Sequence, residues 1–471
     1  MRVSAQLESE TQTTATLPAS TTSLLMTKGR WVHNWDAENP EFWEGIGRRT
    51  AATNLRWSIF AEFLGFVVWQ LFAIVAVYLP AAGFDYSTSQ LFWLISMPSL
   101  IGATLRIPYT FMVARFGGRN WTIVSALLLL IPALGLAFAV SNTNTPFWLM
   151  LTLAGLAGFG GGNFASSMAN ITYFYPASQK GWALGLNAAG GNLGAAVAQL
   201  IVPVAITIFA AGSLQLPLAG FIWVPLIIVA VFGAWRSMHN LSTARSDVRG
   251  ALNSLREPHL WIIAALYIGT FGSFIGFSAV FPKLIADTFP EFSAFALGTA
   301  TVSLAFLGPL VGSLSRPYGG KLADRFGGAR ITLCSFAVMA AVTVALVLLL
   351  PTLNFWMFLG LFLVLFTTSG IGNGSTYRMI PAVFAINAIR AGDTSEARMN
   401  GARTSAAALG LISAFGAYGG FLVPQSLNLS ITTSGSYVPA FSGFVLVYLA
   451  LMALTYACYV RRSSIFAAQG V

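Results

Sequence analysis

Arg106 and Arg316 are the residues through which chemistry enters this chain. Each interrupts an apolar stretch, and each stands nine residues before the arginine of an Arg-Phe-Gly-Gly run. Arg106-Ile-Pro-Tyr leads to Arg115-Phe116-Gly117-Gly118, and Arg316-Pro-Tyr leads to Arg325-Phe326-Gly327-Gly328. Nine helical residues cover roughly 13.5 Å, close to half of a ~30 Å hydrocarbon core. An arginine at that depth costs at least ~2.5–3.5 kcal/mol on insertion scales, so it is expected to face a polar cavity and to have a function. A structural arginine tied to backbone carbonyls is the alternative for either residue taken alone. No acid in the apolar stretches is an obvious partner for both, so the pair calls for an anion. A guanidinium is planar and donates paired hydrogen bonds, which favours carboxylate, phosphate or a small planar oxyanion over sugars and cations.

The chain that must position them has 471 residues, 56% hydrophobic and 8% charged. A soluble domain carries about 25% charged residues, so the composition belongs to a multi-pass membrane protein. We expect helices near 57–79, 91–113, 121–140, 148–174, 182–209 and 221–235, then near 260–281, 297–321, 331–350, 355–384, 404–423 and 440–459. These divide the chain into an N-terminal segment, 1–50, a first six-helix bundle, 51–235, a linker, 236–257, a second bundle, 258–461, and a tail, 462–471. Residues 1–28, rich in Ser and Thr, are expected to be disordered. Residues 29–50, with four large aromatics, suit an amphipathic segment on the membrane surface.

Lys and Arg fall almost entirely in alternate loops, with Lys283 as the exception. By the positive-inside rule the basic loops and both termini are cytoplasmic, in a cytoplasmic (inner) membrane. That distribution accounts for most of the formal charge of +10 without a nucleic-acid partner. Cys334 and Cys458 both lie in apolar stretches and suggest neither disulfide nor metal site. Nucleotide loops, metal clusters and nucleophile–base pairs are not recognisable, so neither enzyme activity nor a cofactor is expected.

The two halves repeat a second pattern. Gly158, Gly160, Gly161 and Gly162 precede Asn163 and Phe164 in the fourth span, and Gly370, Gly372 and Gly374 stand in the tenth, with Gly158, Gly160 and Gly162 matching them at a constant offset. Such glycines permit close backbone approach in membranes, and packing and solute contact are both open to them. Asn163, Ser166, Ser167, Asn170, Asn187 and Asn192 must find partners in a membrane, by lining a site or by bridging helices. Tyr267 and Phe271 share a helix face, with ordinary packing the expected role of Phe271.

Together these stretches resemble the nitrate/nitrite porter family of the major facilitator superfamily, of NarK type. The likeness runs from Trp35 to the last span. It rests on Trp35-Asp-Ala-Glu-Asn-Pro-Glu-Phe-Trp43, on Leu105-Arg-Ile-Pro-Tyr through Arg119-Asn-Trp121, and on the two glycine-rich stretches, which look like the family's paired signatures. The resemblance implies an all-α fold of two pseudo-symmetric six-helix bundles, rocking between access states around nitrate or nitrite; a monomer is the expected functional unit. It implies that Arg106 and Arg316 clamp the anion, that Asn192 and Tyr267 hydrogen-bond it, and that Phe164 packs near it. Asn163 completes the candidate set. Asp324 and Arg325 occupy the gating turn of the second half. The first half has Ala114 in the acidic place, so a gating salt bridge is expected only in the second.

Arginine keeps its proton, so an empty site would carry two positive charges through the membrane interior, which is unfavourable. Obligatory nitrate/nitrite exchange follows as the expected mode. The rival is nitrate–proton symport through Glu62, the one acid inside an apolar stretch apart from Asp324. Glu62 lies five residues after Trp57, which places it near the cytoplasmic interface or snorkelling toward it. An anion receptor without flux would need a signalling domain for which the chain has no room.

Overall fold

The computed structural model describes residues 23–208, 214–245, 248–350, 352, 354–390, 392, 395–468 and 471. Most of the expected disordered stretch therefore lies outside the described residues. Eleven helices there are long and apolar enough to cross a membrane. They are α1 (Pro40–Val75), α2 (Thr88–Phe116), α3 (Gly118–Ala139), α4 (Phe147–Phe174), α5 (Ala177–Thr207), α6 (Leu218–Ser237), α7 (Pro258–Thr288), α9 (Gly328–Leu349), α10 (Phe355–Asn387), α11 (Ala408–Ser434) and α12 (Val438–Val460). The remaining rod, α8 (Leu307–Phe326), packs on α10 and α5. It carries Arg316, Lys321, Asp324 and Arg325 within 20 residues, which makes it the most polar of the twelve. The chain is a multi-pass, all-α membrane protein.

Local chemistry sets the helix ends. Ser87 and Gln90 form a reciprocal capping box at the start of α2, satisfying two otherwise orphaned backbone donors. The Arg-Phe-Gly-Gly turns break α2 from α3 and α8 from α9. Gly117 and Gly327 stand there at φ +86° and +91°, a region that L side chains avoid. Pro108 and Pro317 lie inside their helices just after the buried arginines. Each removes an intrahelical hydrogen bond and loosens the rod there.

The expected start of the eighth helix is wrong. Residues 295–302 form a hairpin, β4 (Phe295–Leu297) against β5 (Ala300–Val302), and a short 3-10 turn precedes α8. Gly298 at φ +64° makes the reversal, and Thr207 of α5 accepts from the Thr301 backbone N–H at 2.8 Å.

The segment before α1, with the first turns of α1, folds onto the rest of the chain. β1 (Met26–Thr27) pairs antiparallel with β2 (Trp31–Val32), and β2 pairs parallel with β3 (Asn240–Leu241) in the linker. Trp35, Phe42 and Trp43 are buried with Phe174 and Tyr175 at the end of α4, so this stretch packs on protein instead of presenting its rings to lipid. Arg30 donates to the Met238 carbonyl at 2.9 Å and bonds the His239 ring at 2.7 Å.

Burial, with Arg30 and Arg119 nearby, pushes the His239 imidazole down to about 4. A depressed histidine contributes stability that is complete above its ordinary value and is lost as the medium acidifies through the folded value. Amide exchange of residues 26–33 is therefore expected to rise as pH falls between about 6.5 and 4. His239→Gln should flatten that dependence, and an unchanged profile in the variant would assign it to another group.

Candidate functional site

The repeated glycines set the frame. A Cβ on Gly158 would meet the Gly102 backbone N at 2.7 Å on α2, and one on Gly370 would strike the Gly312 carbonyl of α8. Gly160 and Gly372 face α1 and α7, at the Gly65 carbonyl and at Thr270 Cγ2, 2.8 Å away. Gly162 lies on the Tyr109 ring of α2 at 2.9 Å, and Gly374 on the Arg316 carbonyl of α8. Equivalent glycines thus touch equivalent helices in the two halves. Their faces are given to helix packing, which brings α4 and α10 against the helices that carry the arginines.

Arg106 is fully buried and Arg316 is 6% exposed. Arg106 Nε donates to the Gly161 carbonyl at 3.0 Å, and its Nη1 donates to Ser413 O at 3.0 Å and Oγ at 2.9 Å. Its guanidinium lies 4.5 Å from the Phe164 ring centre, 5.1 Å from Phe271 and 5.4 Å from Trp69. Arg316 Nη2 donates to Tyr267 Oη at 3.4 Å, and its guanidinium lies 5.6 Å from Phe164 and 5.5 Å from Tyr377. One ring, Phe164, therefore serves both cations, one from each half. Among the described residues, Arg106 Nη2 and Arg316 Nη1 are buried without a hydrogen-bond partner. Buried guanidinium donors are costly to leave unpaired, and an oxyanion is the ligand that would satisfy both.

Tyr267 and Phe164 both lie beside the arginines. Phe271, expected to be ordinary packing, stacks between Tyr267 and Phe164 and lies over Arg106. Asn163 packs against Gly65 of α1. Asn192 is 1% exposed on α5. Among the described residues, both side-chain polar atoms of each asparagine lack a partner, and neither residue bonds an arginine. Ser413, Tyr377 and Trp69 were missed, since only the fold brings them to the pair.

A cavity of about 230 Å³ begins at this cluster, lined by Phe164, Tyr377 and Ser413, and extends past Thr110, Met168 and Tyr173 to Arg245 in the linker. On the opposite side polar bonds tie the halves: Gln199 Nε2 to Ser278 O at 2.5 Å, Gln425 Nε2 to Ser96 Oγ at 2.7 Å and Asn428 Nδ2 to Ser89 Oγ at 3.2 Å. Lys283, the stray basic residue, is 7% exposed there, paired with Asp287 at 2.9 Å and 5.4 Å from the Phe92 ring. The site is open toward the basic loops and closed on the other face. In the second-half turn Asp324 pairs with Arg378 of α10 at 2.5 Å, while Arg325 stacks on Phe326 at 5.0 Å. That salt bridge is exposed and lies within one half, so it contributes little stability and does not tie the bundles together.

Glu62 overturns the expectation of an acid near the interface. It is fully buried, Asn187 Nδ2 donates to its Oε2 at 2.6 Å, and Arg106 and Arg316 act on it electrostatically.

Comparison with known proteins agrees with this architecture. The Major Facilitator Superfamily pattern matches residues 59–424. A protein of Escherichia coli strain K12 named "Nitrate/nitrite transporter NarU" is 42% identical, across 92% of this chain and 96% of its own. Its Salmonella typhimurium namesake is 44% identical over the same shares. A Thermus thermophilus protein named "Probable nitrate/nitrite antiporter NarK2" is 36% identical, across 93% and 98%. Among solved structures, a bacterial homologue of the human lysosomal transporter Spinster, inward-facing and occupied, superposes with TM-score 0.62 at 15% identity, covering 90% of this chain and 97% of that one. That likeness concerns the fold alone. Twelve rods in two matched halves, an arginine from each half on one aromatic ring and these relatives lead to one conclusion: the chain belongs to the Major Facilitator Superfamily, within the family of NarK- and NarU-type transporters, and is not an enzyme.

Proposed function

We propose that this protein carries nitrate and nitrite across the cytoplasmic membrane by alternating access, with the anion held between Arg106 and Arg316. The observation that carries the reading is the pair of partnerless guanidinium nitrogens, Arg106 Nη2 and Arg316 Nη1, buried on helices of opposite halves around Phe164. Both ions are small and planar, which suits the guanidinium fork and the face of Phe164 that both arginines share. The relatives named as nitrate/nitrite carriers support the choice of anion. Tyr267 would orient Arg316, and Asn192 and Asn163 supply donors as the halves move.

Exchange of nitrate for nitrite is the mode the pair favours, since an anion lowers the charge that must cross the membrane interior in each direction. The basic face, both termini and the open cavity are placed on the cytoplasmic side. A single chain holds both arginines, so one copy is enough to form the site. The test is labelled nitrate uptake by proteoliposomes loaded with nitrite, against vesicles loaded with chloride. Saturable uptake stimulated by internal nitrite is expected. Binding without flux would make the protein a receptor, and uptake indifferent to any internal anion would remove exchange.

A further inference from the structure

The cavity that begins at the clamp carries a charge the clamp does not use. Among the described residues that line it, Arg245 in the linker is the one charged side chain. Ile107, Phe111, Leu184 and Leu409 give it apolar walls, with Thr110 and Thr172 as neutral polar points. A small anion loses hydration in such a passage, which is costly. Arg245 is exposed, so its guanidinium stays charged and acts on the solution and on the cavity together. Low-dielectric walls focus the field of a charge at a mouth and raise the local concentration of solutes of opposite sign.

The backbone at Arg245 is held from two sides. Tyr173 Oη, near the end of α4, donates to the Arg245 carbonyl at 2.9 Å, and Tyr173 itself lines the same cavity. The preceding residue, Ala244, is buried in the core that the N-terminal segment forms with Val32, Trp35 and Leu241. Ser242 donates its backbone N–H and its Oγ to the Val32 carbonyl, both at 3.1 Å. The pairing of β2 with β3 completes the strap. Residues 240–245 are thus fastened to the N-terminal segment and to α4. Fixing a loop backbone costs about 1–2 kcal/mol of entropy per residue, and here the buried contacts offset it, so the arginine is kept at the mouth.

We propose that Arg245, held by Tyr173 and the N-terminal segment, is a second anion subsite, which gathers small oxyanions at the cytoplasmic mouth and feeds them to the Arg106–Arg316 clamp. The proposal rests on the transport reading given above. A single charge in contact with water holds an anion loosely. At about 4 Å it contributes about fivefold in local concentration, enough to speed entry without trapping the ion. The subsite stands on one face only, so it sets the affinity of that face and leaves the other alone.

The experiment uses membrane vesicles containing the full chain, prepared inside-out and right-side-out and loaded with saturating nitrite. Uptake of labelled nitrate is read against its concentration in the bath. In inside-out vesicles, Arg245→Gln should raise the half-saturating nitrate concentration about fivefold at an unchanged maximal rate, which also shows that the variant is folded. In right-side-out vesicles it should match the wild type. Arg245→Lys, which keeps the charge, should restore the wild-type value. Tyr173→Phe removes the donor to the Arg245 carbonyl, so it should raise half-saturation on the same face. Both increases should fade as ionic strength goes from about 0.01 M to about 1 M, where charges are screened within a few ångströms; a merely structural defect would persist. Unchanged half-saturation in Arg245→Gln, or an equal rise in both orientations, would overturn the subsite. Absence of exchange by the wild type in either orientation would instead overturn the transport reading beneath it.

Discussion

Arg106→Lys and Arg316→Lys should each weaken nitrate binding by about 100-fold and abolish measurable exchange. Lysine keeps the charge, so any loss reports geometry. A charge-assisted hydrogen bond contributes about 1.5–3 kcal/mol, and every 1.4 kcal/mol is about tenfold in affinity. Lysine offers a point charge in place of a planar fork, so it cannot hold an anion and an aromatic face in one plane. At position 106 it would also lose the donors to Gly161 and Ser413 and the broad contact with Phe164, Phe271 and Trp69. Calorimetric titration of nitrate into the purified variants reads the effect, with their melting curves as the control for folding. Wild-type affinity in either lysine variant would mean that charge alone holds the anion.

Gly374→Ala should be a severely damaging one-carbon change beside the arginine site. The new Cβ would press on the Arg316 carbonyl and come within 2.8 Å of the Gly320 nitrogen. Both are backbone atoms and cannot swing aside, so α10 must retreat from α8 at the level of the arginine. Overpacking of this kind costs about 1–3 kcal/mol, and it also moves Arg316 relative to Phe164. Gly185→Ala on α5 is the matching control, because nothing lies within 4 Å of a Cβ there. Alanine is also the better helix former by about 1 kcal/mol. Gly374→Ala should melt earlier and transport poorly, and Gly185→Ala should do neither. Equal melting of the two would show that the repeated glycines do not set helix spacing.

The sequence disclosed most of this because membrane insertion writes its demands locally. Long apolar runs, basic loops and the nine-residue step from arginine to turn are all visible along the chain, and the glycine offset betrays the repeat. Glu62 was misplaced because Trp57 was read as an interfacial marker. In the structure Trp57 packs against Gly233 of α6, and α1 begins as far back as Pro40, so Glu62 lies deep inside. The early start assigned to α8 has a similar cause. Phe295, Leu297 and Val302 look helical by hydropathy, but Gly298 turns them into a hairpin. The two-residue strand Trp31–Val32 has Asn240–Leu241 as its parallel neighbour, a contact across some 200 residues that no local pattern carries. Ser413 and Phe271 belong to the same class: their types are ordinary, and only the crossing of α11 and α7 over α2 makes them part of the site.

A structure of the protein with nitrate bound tests the clamp most directly. Nitrate oxygens are expected within about 3 Å of both Arg106 Nη2 and Arg316 Nη1, with Phe164 against the plane of the ion. Nitrate bound elsewhere in the cavity, with those two nitrogens still lacking a partner, would contradict the account.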